Sequence, residues 1–153
     1  MDLILWRHAE ALEAEEGAED LQRSLTPRGD KQAARMAAWL DRQLPESVRV
    51  LSSPARRCEQ TALALGRKYK LRDELGPFGT VEDLLRVVQW PQTKAVALVV
   101  GHQPTLGLAI ARLLGLPEGE CAVRKGAVWW LRCRERAGQF QTVVVTVQSP
   151  DLL

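Results

Sequence analysis

The stretch "LILWRHAEA" (residues 3–11) joins a run of four apolar residues to Arg7, His8 and Glu10. A short, continuous apolar run is typical of a strand buried in a parallel sheet. Ligands of open α/β sheets bind outside the carboxyl ends of the strands. An arginine and a histidine directly after a buried strand are therefore candidates for a functional site. The rest of the chain decides between a site and an ordinary surface.

The overall composition is that of one globular domain. The chain has 153 residues, of which 46% are hydrophobic and 26% are charged, enough for one core and too few for two ordinary domains. The net charge is +2, and no dense run of Lys and Arg occurs. This composition argues against nucleic acid as a partner.

Membrane and compartment signals are also informative. No apolar stretch approaches the ~20 residues that a membrane helix needs, and the N-terminus lacks the pattern of a signal peptide. We therefore expect no membrane partner. The cysteines are odd in number and widely spaced, which favours free thiols in a reducing cytoplasm; they are Cys58, Cys121 and Cys133.

Apolar periodicity and Pro/Gly positions predict alternating strands and helices. We expect strands at residues 2–6, 48–52 and 95–100, and a C-terminal hairpin formed by 127–133 and 140–147. We expect helices at residues 26–44, 55–69, 80–90 and 105–115. Residues 12–24 predict a mobile loop over one end of the sheet, and residues 70–79 predict a second loop. The predicted fold class is α/β: a single three-layer domain over residues 1–153, with a mostly parallel central sheet flanked by helices and a C-terminal β-hairpin.

Two helix starts show a hydroxyl residue followed by proline. Thr26 is a candidate N-cap, with Pro27 at the first helical position. Ser53 and Pro54 repeat the pattern before the next helix. The simplest interpretation of Ser53, taken alone, is therefore a helix cap.

Both histidines of the chain follow predicted buried strands at their carboxyl ends. His8 follows the first strand, and His102 follows the apolar run at 95–100. Arg57 lies in the first turn of the helix after the second strand, so it can reach the same edge. Taken singly, each of these residues is more often a surface group, and Arg56 with Arg57 would usually form a solvated face. The joint placement at one edge of the sheet favours a site.

Two arginines and two imidazoles suit a dianionic phosphoryl group. Arginine presents a planar fork of donors that matches phosphate oxygens. Helices that begin near Pro54 and Pro104 would add backbone amides and a positive dipole end. Neighbouring cations disfavour the charged form of a histidine, which leaves a ring nitrogen free to attack phosphorus.

Other phosphate chemistries fit the sequence less well. No glycine-rich loop ends in Gly-Lys-Ser/Thr, so a P-loop is absent from the sequence. A cysteine phosphatase would need an arginine six positions after its nucleophile, where this chain has Ala64, Ala127 and Gln139. Two distant histidines and no Cys-x-x-Cys motif give little support for a metal site, although a metal held by scattered carboxylates stays open.

Three motifs, "WRHAEA", "SSPARRCEQT" and "VVGHQP", resemble those of the histidine phosphatase superfamily in order and spacing. The family hallmark is Arg-His-Gly at the end of the first strand, and this chain has Ala9 in place of the glycine. The short length, "LTPRGDKQAARMAAWL" and "SPARRCEQT" look most like the SixA-type phosphohistidine phosphatases, the compact branch without a capping insertion. The resemblance extends from Leu3 to about Pro150.

The resemblance implies roles for individual residues. His8 would be the residue that is transiently phosphorylated, and Arg7, Arg57 and His102 would form the catalytic phosphate pocket. Ser53 matches a motif position and would contact the substrate. Larger members carry an acidic proton donor before the second histidine, and the candidates in that interval are Glu74, Glu82 and Asp83. Glu82 and Asp83 are equally well explained as favourable charges in the first turn of a helix.

The expected activity is a metal-independent phosphatase with a phosphohistidine intermediate and no cofactor. The expected substrates are protein phosphohistidine or other phosphoramidates, with inorganic phosphate as product. The alternatives are a small-molecule phosphomonoesterase or phosphosugar mutase of the same fold, and a non-catalytic phosphate-binding module.

Overall fold

A computed structural model describes residues 1–92 and 94–153. Its one sheet has six strands in the order β3-β2-β4-β1-β5-β6, and four α-helices flank it. The strands are β1 (Asp2–Arg7), β2 (Arg49–Ser52), β3 (Lys70–Leu71), β4 (Val96–Gly101), β5 (Val128–Arg136) and β6 (Gln139–Gln148). The helices are α1 (Pro27–Gln43), α2 (Arg56–Leu63), α3 (Val81–Val88) and α4 (Thr105–Leu114).

The first four strands are parallel, and the last two form an antiparallel hairpin. β4 lies between β1 and β2 and is parallel to both, while β3 is parallel to β2. β5 is antiparallel to β1, and β6 is antiparallel to β5. The predicted fold class, an α/β domain with a mostly parallel sheet and a C-terminal hairpin, is confirmed.

Alternate residues of β1 face two separate hydrophobic layers. Leu3 and Leu5 pack with apolar residues of α3 and α4, whereas Ile4 and Trp6 pack with those of α1 and α2. All four side chains are fully buried. A strand that is buried on both faces has a continuous apolar sequence because neither face contacts water. The three-layer arrangement explains why the sequence "LILW" lacks polar alternation.

The start of α1 follows the sequence prediction. The Thr26 Oγ1 accepts a hydrogen bond from the Gly29 N–H at 2.9 Å, and Pro27 is the first helical residue. The buried stripe of this helix is formed by residues at helical spacing, namely Ala33, Met36, Ala37 and Leu40.

Two predicted helices end earlier in the structure than the sequence pattern indicated. α2 ends at Leu63, not at residue 69, and Gly66 follows with a φ of +72°. α3 ends at Val88 because Gln89 adopts a left-handed conformation with a φ of 61°. Left-handed residues commonly end helices.

The structure also contains a strand that the sequence pattern missed. The predicted loop at 70–79 begins with β3, which pairs with β2 through two residue pairs only. Both of its residues are exposed, so β3 lacks the apolar alternation by which a strand is recognised. In the described residues, no helix is both long enough and apolar enough to cross a membrane.

Candidate active site

The two histidines lie side by side at the carboxyl edge of the sheet. Arg7 is paired with Gly101 in the parallel register of β1 and β4, so His8 and His102 are the next residues of adjacent strands. Their ring centroids are 5.3 Å apart, and the rings meet edge to face at 61°. Both residues are buried. The strand register therefore brings the only two histidines of the chain into contact.

Arg57 joins this pair from the first turn of α2, the helix that follows the neighbouring strand. β2 lies beside β4, and α2 begins shortly after β2. The Nη2 of Arg57 is 3.4 Å from Nδ1 of His102, and Arg57 is 3% exposed. The adjacent Arg56 is exposed to solvent. The two arginines thus face different environments, which one step of about 100° around a helix allows.

Ser53 contacts the second histidine and does not cap α2. Its Oγ lies 2.8 Å from Nε2 of His102 and accepts a hydrogen bond from the Ala55 N–H at 3.2 Å. The N-cap of α2 is Ala55, which has no side-chain cap. The interpretation of Ser53 as a helix cap is therefore wrong. α2 starts at Arg56, so the serine is too far from its first turn to cap it.

The hydrogen bonds of His8 define its tautomer. Nδ1 lies 2.7 Å from the carbonyl oxygen of Ala9, which can only accept, so Nδ1 carries the proton. The pKa of His8 falls to about 4 because burial disfavours the imidazolium, and the charges of Arg57 and Arg7 add to the effect. At pH 7 the ring is therefore neutral, with an unprotonated Nε2. A neutral Nε2 with a fixed ring is the requirement for a nitrogen nucleophile.

His102 is also neutral at physiological pH. Burial, His8 and Arg57 together lower its pKa to about 3. The Sγ of Cys58, which is also buried, is 3.4 Å from Nε2 of His102. Burial raises the pKa of the Cys58 thiol to about 12, so the sulfur stays protonated. Cys58 therefore serves as a small packing neighbour, not as a thiolate nucleophile.

Arg7 and Arg57 place their guanidinium groups at this edge, where Arg57 is buried and Arg7 is half-buried. Nη1 of Arg7 donates to the Val123 carbonyl at 2.8 Å, which fixes the direction of the fork. The Nε atoms of Arg7 and Arg57 are buried and have no hydrogen-bond partner among the described residues. Buried donors without acceptors cost about 1–3 kcal/mol each. Such donors suit an anion with several acceptor oxygens, which is the chemistry of a phosphoryl group.

Two functional candidates were missed by the sequence analysis, namely Asp20 and Arg23. Nη2 of Arg57 donates to Oδ2 of Asp20 at 3.0 Å, and Nη1 donates to the Asp20 backbone carbonyl at 2.8 Å. Nε of Arg23 lies 3.1 Å from Oδ1 of Asp20. Partial burial alone would raise the pKa of Asp20, but the hydrogen bond and charge of Arg57 outweigh it and lower the pKa.

Asp20 and Arg23 come from the loop over the sheet edge. The loop at 12–24 was predicted to cover one end of the sheet, and a short 3-10 turn at Asp20–Gln22 carries the aspartate there. No periodic pattern marks these residues, so the only available signal was an Asp and an Arg three positions apart in that loop.

Two candidate proton donors, Glu74 and Glu82, are paired with arginines. Glu82 forms a salt bridge with Arg112 of α4 at 2.7 Å and lines a different cavity, next to Gly115. Glu74 is bonded to Arg72 at 2.5 Å. Their own backbone N–H groups and then these arginines lower the pKa of both carboxyl groups. In the described residues, neither is bonded to the histidines, to Arg7 or to Arg57.

Asp83, the third candidate, is part of a helix cap. Its carboxylate accepts from the Thr80 backbone N–H, and the Thr80 hydroxyl accepts from the Asp83 N–H. Arg86 bonds the same carboxylate, and this bond and the one from Thr80 lower the pKa of Asp83. The alternative interpretation of Asp83, as a favourable charge in the first turn of a helix, therefore agrees with its contacts.

Comparison with known proteins agrees with this geometry. Residues 3–84 match the histidine phosphatase superfamily (branch 1). Over 121 residues the chain is 36% identical to phosphohistidine phosphatase SixA of Escherichia coli K12, covering 74% of each protein. The solved structure of a protein histidine phosphatase SixA complexed with tungstate aligns over 99% of both chains, with a TM-score of 0.83 and 29% identity.

The same fold also occurs in a protein named for another substrate. A phosphoserine phosphatase from Entamoeba histolytica, in complex with 3-phosphoglyceric acid, aligns over 97% of this chain and 96% of its own, with a TM-score of 0.71. At 20% identity this likeness shows a common fold alone. The family match and the Escherichia coli relative carry more weight. The chain belongs to the histidine phosphatase superfamily and is a phosphatase of its first branch.

Proposed function

We propose that this phosphatase hydrolyses phosphoramidates, protein phosphohistidine foremost, by transient phosphorylation of His8. The observation that carries the proposal is the environment of His8: a buried, neutral ring with Nδ1–H donated to the Ala9 carbonyl and Nε2 unprotonated beside Arg7 and Arg57. The naming of the 36% identical relative as a phosphohistidine phosphatase supports the choice of substrate.

The proposed reaction has two steps. Nε2 of His8 attacks phosphorus, and the phosphorus–nitrogen bond of the substrate breaks with its electron pair going to the leaving imidazole. The departing ring already carries a proton on its other nitrogen and leaves as neutral imidazole. Water then attacks the phosphorylated His8, the second phosphorus–nitrogen bond breaks, and inorganic phosphate and free His8 are formed.

The roles of the other residues follow from charge. Three equatorial oxygens carry the negative charge during transfer, and preorganised donors stabilise it. Arg7 and Arg57 would supply N–H donors, and His102 would add a ring N–H once it exchanges its contact with Ser53. This positive surface would do the electrostatic work that a metal ion does in other phosphatases, so the proposed reaction needs no metal.

The state of the carboxylates favours phosphoramidates over phosphate esters. An alkoxide leaving group is strongly basic and needs a proton donor, whereas an imidazole has a conjugate pKa of about 6.5. Glu74, Glu82 and Asp83 are ionised and paired with arginines. Such carboxylates are poor proton donors at neutral pH, which disfavours the alternatives of a phosphosugar mutase and a phosphomonoesterase.

A substrate panel tests the proposal directly. We expect kcat/KM for phosphohistidine and for phosphoramidate to exceed that for phosphoserine and for glucose 6-phosphate by at least about a hundredfold. Higher efficiency on the sugar phosphate would overturn the phosphoramidate assignment. In that event alanine substitution of Glu74, Glu82 and Asp83, one at a time, identifies the acid. No turnover of any substrate, with phosphate still bound, would support the phosphate-binding module.

A further inference from the structure

The residues His8, His102, Arg7 and Arg57 form the histidine–arginine cluster. A groove beside this cluster is lined by acidic side chains. It has a volume of about 630 Å³, and the described residues that line it include five carboxylates and no basic side chain. We call it the acidic groove; its carboxylates belong to Glu19, Asp20, Asp73, Glu74 and Asp83. Asp20 belongs to both places, because the same carboxylate accepts from Arg57. The groove therefore begins where the phosphoryl group would be held.

Part of the groove wall is an exposed aromatic side chain on a well-packed loop. Phe78 is 98% exposed. Its loop is anchored on one side by buried Leu75 and on the other by a hydrogen bond from the Thr105 hydroxyl to the Gly79 carbonyl at 3.0 Å. A side chain at Gly79 would meet the Glu74 carbonyl oxygen at 2.2 Å, so the turn is closed without space for one. A fixed backbone thus presents Phe78 to solvent, ready to contact a partner at low entropic cost.

The groove keeps negative charge after its ion pairs are counted. Arginines pair with Asp20, Glu74 and Asp83. In the described part of the chain, no ion pair involves Glu19 or Asp73, which line the groove from two different loops. The electrostatic complement of two unpaired carboxylates is a lysine or arginine, and a second anion would be repelled. The negative charge of the groove thus distinguishes it from the adjacent cationic cluster, which suits the phosphoryl group.

We propose that the acidic groove binds the polypeptide that carries the phosphohistidine. A basic residue flanking the phosphohistidine would lie near Glu19 and Asp73, and an apolar side chain would pack on Phe78. The proposal rests on the proposed function, because it names the partner of the same site. It also predicts that the enzyme prefers some protein substrates over others. The pocket for the phosphoryl group alone would not discriminate among them.

Two phosphohistidine peptides and one small substrate test this inference. The peptides are identical except for lysine or glutamate residues on both sides of the phosphohistidine, and the small substrate is phosphoramidate. We expect kcat/KM of the unmodified enzyme to be about tenfold higher for the lysine peptide, with a preference that declines as salt is raised. Equal efficiencies, or a preference for the glutamate peptide, would overturn the inference.

Three variants locate the effect. The double change Glu19→Gln with Asp73→Asn should reduce the preference to about threefold or less, because the charge is lost while the shape is kept. Phe78→Ala should lower kcat/KM for both peptides about fivefold. Phe140→Ala, which removes an aromatic side chain that is 67% exposed on β6, is the matched control and should have no effect. Phosphoramidate turnover should be unchanged in all three.

The outcomes distinguish the two proposals. If phosphoramidate and both peptides are not hydrolysed, the proposed function has failed. If phosphoramidate is hydrolysed while Phe78→Ala and the double variant leave both peptides unaffected, only the groove assignment has failed. A loss of phosphoramidate turnover in Phe78→Ala would also contradict it, because the effect would then come from damage to the pocket.

Discussion

The histidine–arginine cluster and the acidic groove share Asp20 but hold their polar groups differently. His8, Arg57 and His102 are buried, and they are bonded to backbone carbonyls, to Asp20 or to each other. The carboxylates of the groove lie at the surface, and the Arg86 side chain that pairs with Asp83 is 66% exposed. Exposed ion pairs contribute little energy and exchange readily, whereas buried groups keep one geometry. Under the two proposals, the buried region would carry the chemistry and the exposed region would select the partner.

The largest expected effect is in the buried region, at the proposed nucleophile. His8→Ala should lower turnover by a factor of about a thousand or more, because the covalent route is lost. Binding of vanadate should survive in part through Arg7 and Arg57. Unmodified enzyme that is quenched during turnover should carry phosphate that is labile in acid and stable in base. Substantial activity in His8→Ala would contradict the nucleophile assignment.

Substitutions at Arg57, which is buried, and at Arg56, which is exposed, form a matched pair of variants. Arg57→Lys keeps the charge but loses the two-donor fork, so kcat/KM should fall about a hundredfold. Arg56→Ala, at the exposed neighbouring position, should stay within about twofold. Steady-state kinetics on phosphoramidate measures both. Equal damage from the two changes would mean that Arg57 has no special contact with the phosphoryl group.

The contacts at the sheet edge show how much of the site can be predicted from the sequence alone. Strand prediction placed His8 and His102 at the same edge of the sheet, and the parallel register of β1 and β4 makes the two residues neighbours. Helical geometry then separates Arg57 from Arg56. The Ser-Pro motif predicted a helix start that is too early. Because α2 begins only at Arg56, the Ser53 hydroxyl contacts His102.

The loop residues could not be predicted in the same way. Asp20 reaches Arg57 through the path of the 12–24 loop, and that path is determined by tertiary contacts such as the Ala11–Leu25 bridge. No apolar period encodes such contacts. The short strand β3 was missed for a similar reason, since two exposed residues carry no pattern. Residues at the ends of buried strands can therefore be predicted from the sequence, whereas the contacts of loop residues cannot.

The buried histidines should make the stability of the protein depend on pH. Their pKa values fall to about 4 for His8 and about 3 for His102, while the unfolded chain has values near 6.5. Between these values the unfolded state binds more protons, so the free energy of unfolding should decrease as pH falls from 6.5 to 4. Over this interval the loss is of the order of 3 kcal/mol for each histidine.

Urea denaturation at a series of pH values measures this dependence. Groups with a lowered carboxyl pKa, such as Asp20, lose their contribution only below about pH 4.5, so they do not mask the histidine window. The variant His8→Asn should show a flatter profile between pH 6.5 and 4. A midpoint that is constant over this interval in the unmodified enzyme would show that both rings are protonated without cost.

A smaller effect is expected where the two regions meet. The Asp20 carboxylate occupies Nη2 of Arg57, which the phosphoryl group would also use. Asp20→Asn removes the competing charge, while the Asp20 backbone carbonyl still holds Nη1. We therefore expect the inhibition constant of inorganic phosphate to fall about threefold to tenfold. Asp41→Asn, which breaks an exposed pair with Arg67, is the control and should leave it unchanged. Weaker phosphate inhibition in Asp20→Asn would mean that the carboxylate assists anion binding.

The smallest effect is expected from the removal of divalent ions. The charge of a transferred phosphoryl group must be balanced, and Arg7 and Arg57 place two cations at the sheet edge beside the neutral His8, the proposed nucleophile. Arginine stays charged at neutral pH, so this balance needs no added ion. Activity on phosphoramidate should therefore be the same within about 20% with and without an excess of EDTA. A loss of activity in EDTA that one divalent ion restores would assign the charge balance to a metal, and the two arginines would then bind the phosphoryl group without replacing the metal.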